Sequence, residues 1–149
     1  MKMILKEGTL ITYALGSCIG ISFYDPVVRL AALLHIMLPE SKNLTDQRVF
    51  KFADTGIQET LQEMAFRGGV KSRYICKIAG GARMFEVQGT SNIANIGQRN
   101  IESVHRILAK ENIPIFKQEV GENYARTMKM DAKTGQVMIH TYGRDDIFM

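Results

Sequence analysis

The stretch 30–38, LAALLHIML, constrains the fold of this chain more than any other. It is apolar throughout except for His35, and Pro39 closes it. It falls far short of the roughly 20 residues that a membrane-spanning helix needs. A short, nearly continuous apolar run reads instead as a strand covered on both faces. Upstream, residues 18–24 (CIGISFY) alternate, with Ile19, Ile21 and Phe23 on one side and Cys18, Gly20, Ser22 and Tyr24 on the other. Asp25-Pro26 between the two segments opens a turn. The pair therefore predicts an antiparallel hairpin.

Other elements follow from the same reasoning. Residues 9–14 (TLITYA) are β-branched and aromatic and predict a strand. Thr45 or Asp46 can cap a helix reaching about Arg67, with Val49, Phe50, Ala53, Ile57, Leu61, Met64 and Ala65 as its apolar stripe. Gly68-Gly69 stops it. Residues 74–79 predict a strand that runs into Gly80-Gly81-Ala82, and residues 95–111 a second helix with Ile101, Val104 and Leu108 inward. Residues 113–120 read as a strand, and 126–130 with 136–142 as a hairpin. Strands clustered at both ends with two long helices between them indicate an α+β layered sandwich, not a doubly wound parallel sheet.

The 149 residues, 46% hydrophobic and 23% charged, suit one globular domain over 1–149 and exclude a disordered chain. The first residues lack the apolar core of a signal peptide, and no direct membrane insertion is expected. Two cysteines cannot build a disulfide framework or a four-thiolate zinc site, so a reducing cytoplasm is the expected compartment. The net charge of +4 is scattered, without the clustering or module of a nucleic-acid binder. Without an H-E-x-x-H, Cys-x-x-Cys or carboxylate cluster, no metal site is expected.

The chemistry points to residues 12–20, TYALGSCIG, together with His35. If Tyr24 closes the hairpin opposite Arg29, Cys18 lies directly opposite His35. Opposed side chains share a face, with Cβ atoms about 4.5–5.5 Å apart. An imidazolium beside a thiol lowers its pKa, and the thiolate is the nucleophile. Gly16, Ser17 and Gly20 flank Cys18 with little bulk, leaving room for a substrate carbonyl and for N–H groups facing an oxyanion. Thr12 is a candidate third group to orient the ring. Taken singly, Cys18 reads as a small buried hydrophobe and His35 as a core histidine; the opposed pairing is what raises a Cys–His site beside those readings. Cys76, within an apolar strand, reads as structural, as do His105 and His140, and Gly80-Gly81-Ala82 reads as a tight turn.

At these residues the sequence resembles the CheD family, the chemoreceptor glutamine deamidases. The matching stretches are Thr12 with Leu15-Gly16-Ser17-Cys18, then His35-Ile36-Met37-Leu38-Pro39, Gly80-Gly81-Ala82-Arg83-Met84-Phe85, Ile96-Gly97-Gln98-Arg99-Asn100 and Val120-Gly121. The resemblance implies a mixed β-sandwich with helices packed outside, related to a deamidating toxin domain. It places the family's nucleophile, catalytic histidine and accessory threonine on Cys18, His35 and Thr12. The implied reaction is hydrolysis of a glutamine amide on the cytoplasmic domain of a methyl-accepting chemotaxis receptor, through a thioester and without a cofactor. A CheC-type phosphatase is the implied second partner; a binding module that mainly regulates such a phosphatase is the alternative function. Met84 and Phe85, apolar residues in a glycine-rich loop, are candidates for docking a partner helix.

Two departures stand out. The family carries a further strand before the segment matching Thr9, where eight residues stand here, so a missing edge strand is one expectation. Glu122 and Ala125 replace usual glycines after Val120-Gly121, so substrate contacts at that turn are expected to differ.

Overall fold

The hairpin forms, and the molecule is built around it. In the computed structural model, which describes residues 1–42, 47–84 and 95–149, its arms are β3 (Ile19–Asp25) and β4 (Leu30–Ile36). They are the central strands of a five-stranded sheet whose order is β1-β4-β3-β5-β6, with β1 at Lys2–Leu5, β5 at Ile75–Gly80 and β6 at Ile115–Val120. A second sheet has the order β2-β7-β8-β9, from Thr9–Leu15, Arg126–Asp131, Val137–His140 and Ile147–Phe148. β1 pairs with β4 and supplies the edge strand whose absence was an expectation of the sequence.

The period-2 alternation of β3 and β4 sorts their side chains between two cores. Ile19, Ile21, Phe23, Ala32, Leu34 and Ile36 face the helices, α1 (Ala53–Phe66) and α2 (Ile96–Lys110). Tyr24, Ala31 and Leu33 face the second sheet, where they meet Leu10, Met128, Met130, Val137 and Ile139. The layers are thus helices, sheet and sheet, a mixed α+β sandwich with both helices on one outer face. This explains why the 30–38 run is apolar at successive positions: each face of β4 is covered. β5 and β6 run parallel, joined through α2, whereas β3 pairs antiparallel with both β4 and β5.

The first helix starts later than its periodicity predicts. Val49–Lys51 form a separate 3-10 turn, and Phe52 is extended, bridging to Leu38. The Ala53 N–H donates to the Leu38 carbonyl, so α1 begins where β4's continuation holds the chain. Val49 and Phe50 therefore pack from the turn and not from the helix. The expected caps Thr45 and Asp46, like Phe85, lie outside the described residues.

Candidate functional site

Strand β2 belongs to one sheet and β3 to the other, so the bend at residues 16–18 is the crossover between sheets. Cys18 is its last residue, half-buried and packed against the inter-sheet core. The hairpin register differs from the sequence expectation. Asp25 pairs with Leu30 and Gly20 with His35, so Cys18 lies one pair beyond the end of the ladder, which closes at Ile19–Ile36. The turn keeps four residues but is shifted by one, to 26–29: Asp25 stays in strand pairing while its carboxylate accepts the Val27 N–H. The displacement is by two residues, which preserves the face: Cys18 and His35 both belong to the side turned toward the second sheet. Cys18 is thus not opposed to His35, and no hydrogen bond joins the two among the described residues.

Strand β2 brings Thr12 across from that second sheet. Its Oγ1 lies 2.7 Å from Nδ1 of His35, while Nε2 of His35 is buried with no hydrogen-bond partner among the described residues. Burial is the main influence on both reacting groups. It pushes the Cys18 thiol up and the His35 imidazole down, the latter helped by the positive Met1 amino group. Desolvation thus disfavours both charged forms, the thiolate and the imidazolium.

The crossover bend is held by its carbonyl groups. Those of Gly16, Ser17 and Cys18 accept from the Ala82 N–H at 2.7 Å, the Asn100 Nδ2 at 2.8 Å and the Gly81 N–H at 2.8 Å. The Gly80-Gly81-Ala82 turn, read from sequence as local punctuation, is thus the clamp on the Cys18 bend. Gly80 has φ +114°, and a Cβ there would lie 2.1 Å from the Cys18 carbonyl oxygen, so no side chain fits. The clamp is itself tied down: the Gly80 carbonyl accepts from the Gly121 N–H, and the Glu122 carbonyl accepts from the Arg83 N–H. Glu122 adopts φ +60°, the left-handed conformation glycine favours. Arg126, fully buried, secures this loop through Glu119 and the Gly121 and Tyr124 carbonyls.

The expected small-residue approach to the sulfur is altered at two positions. A Cβ on Gly20 would meet Leu15 and Met128 at under 3 Å, so its missing side chain serves core packing. Gly16 faces the Met84 side chain. Met84 is 42% exposed, as are Tyr13 at 62% and Met37 at 49%, on the segments that carry Ala82, Thr12 and His35. Leu15 is fully buried and contributes nothing to such a rim. A cavity of about 720 Å³ lies elsewhere, between α2 and β6, and includes none of the candidate residues.

The other cysteine and histidines take no part in this arrangement. Cys76 is fully buried and its thiol is pushed strongly up by desolvation. His105 bonds Gln118 and His140 bonds Asp146 on the surface. What sequence reasoning missed is Asn100 on α2, fully buried, whose Nδ2 also donates to the Met37 carbonyl at 2.9 Å. The available signal was an amide of poor helix propensity in mid-helix.

Residues 37–141 match the family model described as CheD chemotactic sensory transduction. Similar proteins include a probable chemoreceptor glutamine deamidase CheD of Caldanaerobacter subterraneus, 43% identical over 95% of this chain and 88% of the relative. Proteins of the same description from Syntrophomonas wolfei and Desulforamulus reducens are 43% and 45% identical, over 97% and 95% of this chain and 91% and 86% of theirs. Among the described residues, no helix is long and apolar enough to cross a membrane.

Proposed function

Because the chain belongs to the CheD family of chemotactic sensory transduction proteins, we propose that it hydrolyses glutamine side-chain amides of chemotaxis receptors to glutamate and ammonia. Cys18 is the nucleophile, His35 its base and Thr12 the group that orients the ring. The observation that carries this reading is the Thr12–His35 bond at Nδ1, which leaves Nε2 unpartnered on the face where Cys18 packs.

The chemistry follows from the protons. With Nδ1–H donating to Thr12 Oγ1, Nε2 holds a lone pair. As Cys18 Sγ bonds to the amide carbon, its proton passes to Nε2, so the charge pair exists only while the reaction needs it. In a trans peptide the N–H points opposite the C=O. With the Gly16 and Ser17 carbonyls bound inward, the Ser17 and Cys18 N–H groups face the other way and serve the oxyanion. Nε2–H then protonates the amide nitrogen, and ammonia leaves a thioester. Water attacks that carbonyl as Nε2 removes its proton, and glutamate departs as Cys18 regains a thiol. No further group is needed for the balance.

Tyr13, Met37 and Met84 offer exposed apolar surface around a half-buried sulfur. That suits a glutamine projecting from a receptor helix better than a small molecule needing enclosure. The test is mass spectrometry of a receptor cytoplasmic domain after incubation with the protein. Conversion of specific glutamines to glutamates is expected; chain cleavage or an amine adduct in its place would overturn the assignment. The CheC-type phosphatase belongs to the same reading as a second partner, tested by competition with the receptor domain for this surface.

A further inference from the structure

The β3–β4 ladder ends before it reaches Cys18, so ladder hydrogen bonds do not fix the sulfur relative to the ring. One side chain spans that gap. Asn100 donates one amide proton to the carbonyl of Ser17, immediately before Cys18, and the other to the carbonyl of Met37, just beyond β4 and its His35. We propose that Asn100 is a positioning residue for the reaction, locking the Ser17–Cys18 peptide plane to the histidine strand. This rests on the Cys18–His35 reading above.

Three features support the role. The orientation of the amide follows from its partners, since two carbonyl oxygens can be bonded only by the NH2 end. Holding the Ser17 carbonyl also aims the Cys18 N–H in the opposite direction, so one bond sets both the sulfur's backbone and an oxyanion donor. Asn100 Oδ1, meanwhile, is buried without a partner among the described residues. A side chain serving stability alone gains from satisfying its acceptor as well; here two donors are placed and the acceptor is left unmade. The helix that carries Asn100 is seated closely on the same region. A Cβ on Gly97 would lie 2.6 Å from the carbonyl oxygens of Gly81 and Ala82, so only glycine admits this approach.

The test compares Asn100→Ala with Ser103→Ala. Ser103 is on the same helix and donates to the Pro39 carbonyl, a bond of the same kind that does not reach the site. Two quantities are read: receptor deamidation, and the pH dependence of Cys18 alkylation by iodoacetamide in a Cys76→Ala background. Asn100→Ala is expected to lower kcat about 100-fold with KM within about twofold. It should also shift the alkylation profile to that of His35→Ala, while Ser103→Ala retains the wild-type values of both. Asn100→Asp, which keeps the shape and lacks the NH2 donors, is read the same way should the alanine variant not fold. In unsubstituted protein, alkylating Cys18 should displace both Asn100 side-chain amide proton resonances. A wild-type alkylation profile or near-wild-type kcat in the Asn100 variants, an equal effect of Ser103→Ala, or unmoved resonances would overturn the proposal. Coincident profiles of wild type and His35→Ala, or full deamidation by Cys18→Ala, would instead sink the Cys–His reading, and this proposal with it.

Discussion

The two ends of one hairpin are built on opposite rules. At the turn, the Asp25 carboxylate is fully buried and accepts on both oxygens, although the Tyr74 hydroxyl that feels its charge is buried without a partner among the described residues. The carboxylate accepts from the Val27 and Val70 N–H groups and from Nε and Nη2 of Arg73, the last at 2.6 Å. Burial pushes this carboxyl up, but Arg73 and the backbone donors outweigh that and hold it below its usual range. At the open end, Cys18 is a free thiol, and Nε2 of His35 and Oδ1 of Asn100 are buried without a hydrogen-bond partner among the described residues. A fully satisfied polar cluster holds structure, whereas unpartnered donors and acceptors in a buried site remain available to a substrate. The two cysteines repeat the contrast, with Cys76 sealed in the helix-facing core and Cys18 on a crossover bend.

The comparison breaks first at the sulfur. Cys18→Ala should reduce deamidation by about 1000-fold or more, while Cys76→Ala retains nearly full activity; receptor glutamate formation by mass spectrometry measures both. Next, Asp25→Asn removes the charge facing Arg73 and should destabilise the fold by about 3 kcal/mol in chemical denaturation. The fraction that stays folded should deamidate its substrate normally; lost turnover in folded protein would mean that the two ends are coupled.

Thr12→Val keeps the shape and deletes the hydroxyl bonded to His35. About a tenfold loss in kcat is expected, smaller than for His35→Ala, which removes the base itself. The smallest effect separates the ends by pH. Burial holds His35 neutral in the fold, with its pKa below the ordinary value of about 6.5. Unfolding exposes a ring that takes up a proton below that value, so stability falls as the pH drops beneath about 6.5. Asp25 acts in a lower window: its contribution is complete above about 3.8 and is lost as the pH falls through its depressed folded value. Denaturation at stepped pH should show both, and His35→Asn should flatten only the upper one. By the same logic the acid limb of kcat/KM lies below about pH 6.5, where the free base is lost.

Much of this architecture was readable before any coordinates. The alternation in β3 and the apolar run of β4 announce a hairpin, because side-chain direction in a strand is a matter of parity. The same parity places Cys18 and His35 on one side even though the predicted register was two residues off. Thr12, Cys18 and His35 could be singled out from residue type, spacing and resemblance. The short strands β1 and β9 carried too little pattern to be seen, since four and two residues give no period to count. The start of α1 was misplaced because Val49 and Phe50 continue its apolar period while the Phe52–Leu38 bridge fixes the true boundary.

What the sequence determined by itself, then, is whatever depends on local periodicity and side-chain chemistry: the strands, the helices, and a thiol, an imidazole and a hydroxyl of the right kind. What the tertiary structure alone decided is how those groups are poised. The Thr12–His35 bond joins two different sheets. The Gly80-Gly81-Ala82 clamp and Asn100 reach the Cys18 bend from 63 to 83 positions away in the chain. Burial pushes the Cys18 thiol up and the His35 imidazole down. Hydrogen bonds between distant segments and desolvation exist only once the layers have closed, and no local pattern encodes them.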